Sequence, residues 1–249
     1  MLTNRVAVVT GAASGIGRST ALLYAREGAS VVVADIDSDG GQETIEMIGA
    51  SGGQGVFVKA DVADPAACEA LVKSAIMEFG RLDFACNNAG IAGEQNPTAE
   101  YSIEGWQRLI AINLSGVFYC MKYELQAMLQ SGGGSIINIA SILGHVGFAG
   151  APAYVSAKHG VIGLTVNAAL EYGQHGIRVN AVGPGFIRTP MISVLEQDPA
   201  IMQQIVAMHP IGRLGEAEEV AELVVWLSSD KASFITGGYY PIDGGYLAR

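Results

Sequence analysis

Tyr154 and Lys158 stand four residues apart in Ala-Tyr-Val-Ser-Ala-Lys-His, and Ser141 lies 13 residues upstream. Positions i and i+4 share one face of a helix. A phenol and an ammonium on one face form an acid–base device, because positive charge favours phenolate. A free tyrosine titrates near ~10, too high for an efficient base at neutral pH, and a neighbouring cation draws it down. The chemistry expected of the pair is proton transfer to or from an alcohol or carbonyl oxygen. With nine Tyr and five Lys in 249 residues, random order supplies such a spacing in ~0.2 of chains. A helix carrying a half-buried tyrosine and a lysine stem has the same spacing, so the pair takes its meaning from its surroundings.

Short β-branched runs alternate with helical stretches. Residues 6–10, 30–35, 55–59, 82–86, 135–140, 177–182 and 239–242 read as strands. Residues 16–27, 65–79, 102–129, 153–172 and 216–228 read as helices. Asp64-Pro65 supplies an N-cap followed by Pro at the first helical position. Near-continuous apolar strands separated by helices imply a parallel sheet covered on both faces. Right-handed crossovers make it doubly wound. The expectation is an α/β chain with one Rossmann-like sheet of about seven strands, order 3-2-1-4-5-6-7, and helices on both faces. With no repeat, low-complexity tract or linker, residues 1–249 read as one domain. The longest stretch without a clear element, 183–215, has the length of a lid.

Thr10-Gly11-Ala12-Ala13-Ser14-Gly15-Ile16-Gly17 joins the first strand to the first helix. Glycine lets backbone approach a pyrophosphate, and a helix N-terminus offers free N–H groups and the positive end of a dipole. Asp35 ends the second strand, where a carboxylate accepts hydrogen bonds from both hydroxyls of an adenosine ribose and repels a 2′-phosphate. Neither Ile36 nor Ser14 offers a cation to such a phosphate, so NAD is expected over NADP. Arg18, the nearby cation, reads as facing solvent or a partner subunit, and Asp37 as a turn residue. Asp61-Val62, after the third strand, suits an adenine: carboxylate to the exocyclic amine, backbone beside it. It equally suits a plain loop. Asn87-Asn88-Ala89-Gly90 ends the fourth strand, and its small residues let the chain pass close to a ligand.

Half the residues are hydrophobic, ample for a continuous core, and the net charge is −10. That balance argues against nucleic acid, anionic membranes and acidic protein partners. Three widely spaced cysteines, Cys68, Cys86 and Cys120, suggest neither a metal site nor a disulfide framework. Cys86 sits in an apolar strand as a packing residue. The first residues run straight into a strand with no signal-like apolar region. No apolar run reaches membrane-spanning length, so the expected location is cytoplasmic.

From Thr10-Gly11 through Asp35, Asp61-Val62, Asn87-Asn88-Ala89-Gly90, Asn113, Ser141, Tyr154 and Lys158 to Pro184-Gly185, the chain resembles the short-chain dehydrogenase/reductase family essentially end to end. The resemblance implies a nicotinamide-dependent oxidoreductase in which the cofactor carries the hydride. Tyr154 would be the general acid/base and Ser141 would bond the same substrate oxygen. Lys158 would lower the Tyr154 pKa and hold the nicotinamide ribose. Asn113 would keep a water linking Lys158 to solvent. Pro184-Gly185-Phe186-Ile187-Arg188-Thr189-Pro190 resembles the family's segment beside the nicotinamide. There the Ile187 backbone would meet the carboxamide, and Thr189 the carboxamide or pyrophosphate. Residues 191–208 resemble the substrate lid, within a broader lid region of 186–215. Family members are commonly homotetramers packed through 102–129, 153–172 and the C-terminal region.

Residues 142–151, 91–97 and the lid are the expected pocket walls. The lid contributes Met191, Ile192, Val194, Leu195, Ile201, Met202, Ile205 and Met208. These walls are mostly apolar and adaptable, which suits a hydrophobic secondary alcohol or ketone. His145 and Glu94 are polar exceptions that read as rim or packing residues, though either could bond a diol. A branch of NADH-dependent secondary-alcohol dehydrogenases and ketone reductases is the nearest resemblance. Cyclic diol or sugar dehydrogenation, 3-oxoacyl reduction and, outside enzymes, NAD(H) sensing without turnover remain alternatives.

Overall fold

The computed structural model describes residues 2–193 and 198–248. Six strands come first: Val6–Thr10 (β1), Ser30–Asp35 (β2), Gln54–Lys59 (β3), Phe84–Asn87 (β4), Gly134–Ile139 (β5) and Ile177–Pro184 (β6). Two short ones follow, Ile187–Arg188 (β7) and Gly215–Glu216 (β8), and then Tyr239–Ile242 (β9). The main sheet has seven strands in the order β3-β2-β1-β4-β5-β6-β9. Every neighbouring pair in it is parallel. Counted within that sheet, this is the 3-2-1-4-5-6-7 order expected. β7 and β8 form a separate two-stranded ribbon.

Alternation along the strands divides the core into two layers. Val6 and Val8 of β1, with Val32 and Ala34 of β2, pack among residues of Pro65–Phe79 (α3), Gly116–Ser131 (α5) and Pro152–Tyr172 (α6). Ala7 and Val9, with Val31 and Val33, pack among residues of Gly15–Arg26 (α1) and Ala217–Ser228 (α8). α3 begins as expected: Asp64 accepts from the Ala66 N–H at 2.9 Å, Pro65 opens the helix, and Gly80 ends it with φ 80°.

Four sequence expectations are corrected. The segment between β2 and β3 is a helix, Ser38–Ala50 (α2), capped by Asp37, which accepts from the N–H groups of Asp39 and Gly40. Gly40 and Gly41 early in that segment hide its helical character, because glycine is a poor helix former. Arg18 is turned onto its own chain rather than free in solvent. It ties α1 to α2 through Glu43 (2.6 Å), Thr44 (3.0 Å) and the Gly40 carbonyl (3.2 Å). Residues 102–129 are not one uniform helix: Ile103–Ile110 (α4) meets α5 through a π-helical turn, Ala111–Ser115. The 183–215 stretch also holds a helix, Pro199–Ala207 (α7), whose cap Asp198 accepts from Ala200 and Ile201.

Candidate active site

The carboxyl ends of the strands carry a groove of about 280 Å³, where open α/β sheets bind ligands. Its floor is built by Thr10. The Thr10 hydroxyl accepts the N–H groups of Asn88 (3.0 Å) and Ala89 (3.1 Å). The Asn88 amide returns two bonds, to the carbonyls of Thr10 (3.0 Å) and Gly11 (3.1 Å). Gly11 has φ 65°, and a Cβ there would stand 2.8 Å from the Ala89 Cα. Gly15, φ 52°, is faced by Thr189, at 3.2 Å from such a Cβ. Ser14 precedes α1 without making a side-chain cap, so the first helical turn opens to the groove.

Asp35 stands at the groove's far end. One carboxylate oxygen accepts the Ala13 N–H at 2.9 Å and the other the Asp37 N–H at 3.0 Å. A carboxylate has about four acceptor positions, so capacity remains for two hydroxyls. Of the residues expected to touch the cofactor, Gly11, Ser14, Gly15, Ile16, Asp35, Ile36, Asp61, Val62, Asn88, Ala89, Gly90 and Thr189 line this groove. Ala60, Ile91, Ile112, Pro190 and Met191 line it as well; Ile91 was expected as a wall of the substrate pocket, and sequence spacing gave no sign of Ala60 or Ile112. Gly17 does not: a Cβ there would fall 2.1 Å from the Gly11 carbonyl, so it serves the close approach of α1 to the turn. Gly185 and Ile187 line a separate cavity of about 120 Å³. A glycine cradle, an open helix N-terminus and a terminal carboxylate fit an adenine dinucleotide.

Ser141 follows β5, and Tyr154 lies in the first turn of α6, which Pro152 opens. Lys158 is one turn further on and buried. The Ser141 side chain lies beside the Tyr154 phenol and favours its ionised form. The Ser141 hydroxyl accepts the Leu143 N–H at 3.1 Å and so caps a turn beside the phenol. Lys158 Nζ donates to the Ile139 carbonyl at 2.7 Å and lies over the Tyr154 ring, 5.6 Å from its centre. The lysine therefore approaches the ring face rather than the hydroxyl. The expected lowering of the phenol is not what this arrangement gives: burial raises the Tyr154 pKa, and the neighbouring Ser141 side chain offsets part of that. Burial also lowers Lys158 to about 8.

Asn113 is fully buried at the centre of the π-helical turn. Its side-chain carbonyl accepts the Ile91 N–H (2.9 Å) and its amide donates to the Ile91 carbonyl (2.8 Å). It thereby pins the segment that leaves Gly90 against the turn between α4 and α5. Such turns commonly mark functional sites.

Two groups invisible at the sequence level support this site. Tyr239 of β9 donates its phenol to the Ser141 carbonyl at 2.9 Å, and His145 stacks on its ring at 4.7 Å and 7°. His145 is thus a packing residue here. Burial pushes the Tyr239 phenol up to about 12, followed by the nearby Asp243 charge, so it stays a donor. Tyr239→Phe is expected to lower turnover ~3–10-fold with NADH affinity unchanged, the size of one neutral hydrogen bond. Steady-state rates beside a cofactor titration check this, and an unchanged turnover contradicts it. His209, buried, receives the Phe186 N–H on Nε2 (3.2 Å) and donates from Nδ1 to Ile205 (2.8 Å). It fastens α7 to the turn after Pro184. Glu94 accepts the Ser102 hydroxyl at 2.7 Å at the start of α4. Val194 and Leu195, expected in the lid, lie outside the described residues, while Met191 and Ile201 are exposed.

A family model described as enoyl-(acyl carrier protein) reductase matches residues 11–247. Cyclohexanol dehydrogenase of Acinetobacter sp. (strain SE19) is 52% identical over 246 residues, 99% of this chain and 96% of that protein. The crystal structure of levodione reductase has a TM-score of 0.96 at 40% identity, covering 100% of this chain and 99% of that one. A candidate 2-deoxy-D-gluconate 3-dehydrogenase from Agrobacterium tumefaciens, with bound NADP, has a TM-score of 0.92 at 36% identity, covering 100% and 98%.

Proposed function

This chain belongs to the short-chain dehydrogenase/reductase family, and from that premise we propose that it moves a hydride between NAD(H) and a cyclic, hydrophobic secondary alcohol or its ketone. The observation that carries the reading is the grouping of Ser141 beside the Tyr154 phenol with Lys158 over its ring. A nicotinamide dinucleotide, when bound, supplies or accepts the hydride. The chain supplies the rest. Ser141 holds the substrate oxygen and Tyr154 takes its proton in oxidation or returns one in reduction. Lys158 steadies the phenol from its ring face and reaches the cofactor's ribose. Asn113 shapes the wall beside Gly90 and keeps a water on the path from Lys158. The glycine turn and the α1 N-terminus cradle the pyrophosphate. Asp35 and Ile36 meet the adenosine ribose, Asp61 and Val62 the adenine. Pro184, Gly185, Ile187 and Thr189 flank the nicotinamide.

The cyclic substrate follows from the cyclohexanol dehydrogenase relative and from the apolar walls. A diol or sugar substrate is the second reading, favoured by the gluconate-type neighbour. A panel of cyclohexanol, cyclic diols, acyclic secondary alcohols and sugars with NAD decides: cyclohexanol is expected to give the highest kcat/KM, and a sugar leading the panel overturns the choice. Residues 1–249 act as one domain in this reading, with a substrate lid within 186–215. The outer faces of α5 and α6 carry Phe118, Val166 and Leu170, all exposed. We assign that surface to a homotetramer. Sedimentation at micromolar concentration is expected to give four chains, and a monomer contradicts it. Among the described residues no helix is long and apolar enough to cross a membrane.

A further inference from the structure

Helix α5 carries a carboxyl group into the interior beneath the groove. Glu124 is fully buried and enters no ion pair among the described residues. Its Oε2 accepts from Asn87 Nδ2 at 3.0 Å. Its Oε1 has no hydrogen-bond partner, and neither has Asn87 Oδ1. Buried polar atoms are rarely left so, and here the two orphans are acceptors on residues already bonded to each other.

The neighbouring bonds fix which way each amide points. Thr165 donates its hydroxyl to the Val161 carbonyl at 2.8 Å, so it accepts from Asn138 Nδ2 at 2.9 Å. Asn138 then turns its Oδ1 to Asn87, whose Nδ2 donates to it at 3.0 Å. Asn87 Nδ2 therefore serves both Asn138 and Glu124, and a flip of its amide would break both bonds. Two buried acceptors on residues already joined by one hydrogen bond lack a donor, and a proton on the carboxyl would supply it.

We propose that Glu124 stands as a neutral carboxylic acid whose Oε1–H donates to Asn87 Oδ1, closing a two-bond acid–amide ring that positions the end of β4. The titratable groups facing it are thiols: Cys86 from β4 and Cys120 from α5, the latter 3.6 Å from Cys68 of α3. None supplies a positive charge to hold a carboxylate. Burial pushes Glu124 up to about 8, and the Asn87 bond offsets only part of that. The residues directly after Asn87, namely Asn88, Ala89 and Gly90, line the nucleotide groove. Glu124 is a positioning residue, acting on the groove through Asn87.

Glu124→Gln keeps the ring, because a side-chain amide also donates and accepts. The wild-type minus Glu124→Gln infrared difference at neutral pH is expected to show the C=O stretch of a protonated carboxyl. A carboxylate signal there overturns the proposal and assigns the missing donor to a buried water. Melting gives a second arm. The native state holds this proton more tightly than the unfolded chain, so the stability it contributes is complete below about 4.5 and is lost as pH rises through about 8. The wild-type advantage in Tm over Glu124→Gln is expected to shrink across that window, and a constant difference contradicts it.

Glu124→Leu tests the positioning. It leaves Asn87 Oδ1 without its donor and is expected to raise the NADH dissociation constant ~10-fold, with Glu124→Gln within about twofold of wild type. Unchanged NADH affinity in Glu124→Leu removes the positioning role. That last arm rests on the proposed cofactor; the infrared and melting arms do not. Wild type failing to bind NADH would sink the cofactor reading and leave the ring standing or falling on its own spectra.

Discussion

Tyr154→Phe reduces turnover of a cyclic secondary alcohol by roughly 10³-fold or more, while NADH affinity stays within about twofold. The substitution removes one oxygen. The ring remains for Lys158 to lie over, at 5.6 Å from its centre, and the packing of α6 is unaltered. What disappears is the hydroxyl beside Ser141. Substantial surviving activity in steady-state assays would remove Tyr154 as the acid/base. The pH dependence carries a sign as well. Burial favours the neutral phenol and the neutral amine. Alcohol oxidation needs phenolate and gains rate as pH rises. Ketone reduction needs the phenol proton and is favoured towards lower pH. Parallel profiles in both directions would contradict one group serving both.

Asp35 carries the second large effect. Its carboxylate already accepts two backbone N–H groups, which hold it at the end of the groove. A 2′-phosphate placed there meets a fixed negative charge, and exposed Ile36 gives no cation in exchange. Wild type is expected to favour NADH over NADPH by ~10²-fold or more in kcat/KM, a discrimination that fits charged hydrogen bonds gained on one side and repulsion on the other. Asp35→Ala should lose ~10–100-fold with NADH and narrow the gap by improving NADPH. Equal use of both cofactors by wild type would contradict the role given to Asp35. The NADP-bound neighbour makes this comparison informative, because fold similarity alone is compatible with either cofactor.

Strand order was legible because a parallel sheet buried on both faces leaves near-continuous apolar runs such as Val31, Val32 and Val33. The glycine turn and Asp35 were legible because each needs a specific residue type at a strand end. The helix Ser38–Ala50 was not, since its glycines obscure the period and an Asp cap carries the start. The π-helical turn leaves no sequence period of its own; only Asn113, a polar residue inside an apolar stretch, hints at it. Tyr239 and Glu124 were beyond reach for a different reason. Tyr239 meets Ser141 across 98 positions, and Glu124 meets Asn87 across 37, contacts that only the packed sheet brings together. The lysine's effect on the phenol was misread because helical spacing gives a shared face, not which atom of the ring the ammonium meets.

The most direct test supplies NAD and cyclohexanol carrying deuterium on its carbinol carbon to the purified protein, and follows the label. Deuterium on the C4 carbon of the reduced nicotinamide, with cyclohexanone released and the rate slowed relative to unlabelled alcohol, is the result expected. Tight NADH binding with no label transfer from cyclohexanol or from any other alcohol of the panel would contradict the account and leave a protein that binds the dinucleotide without using it.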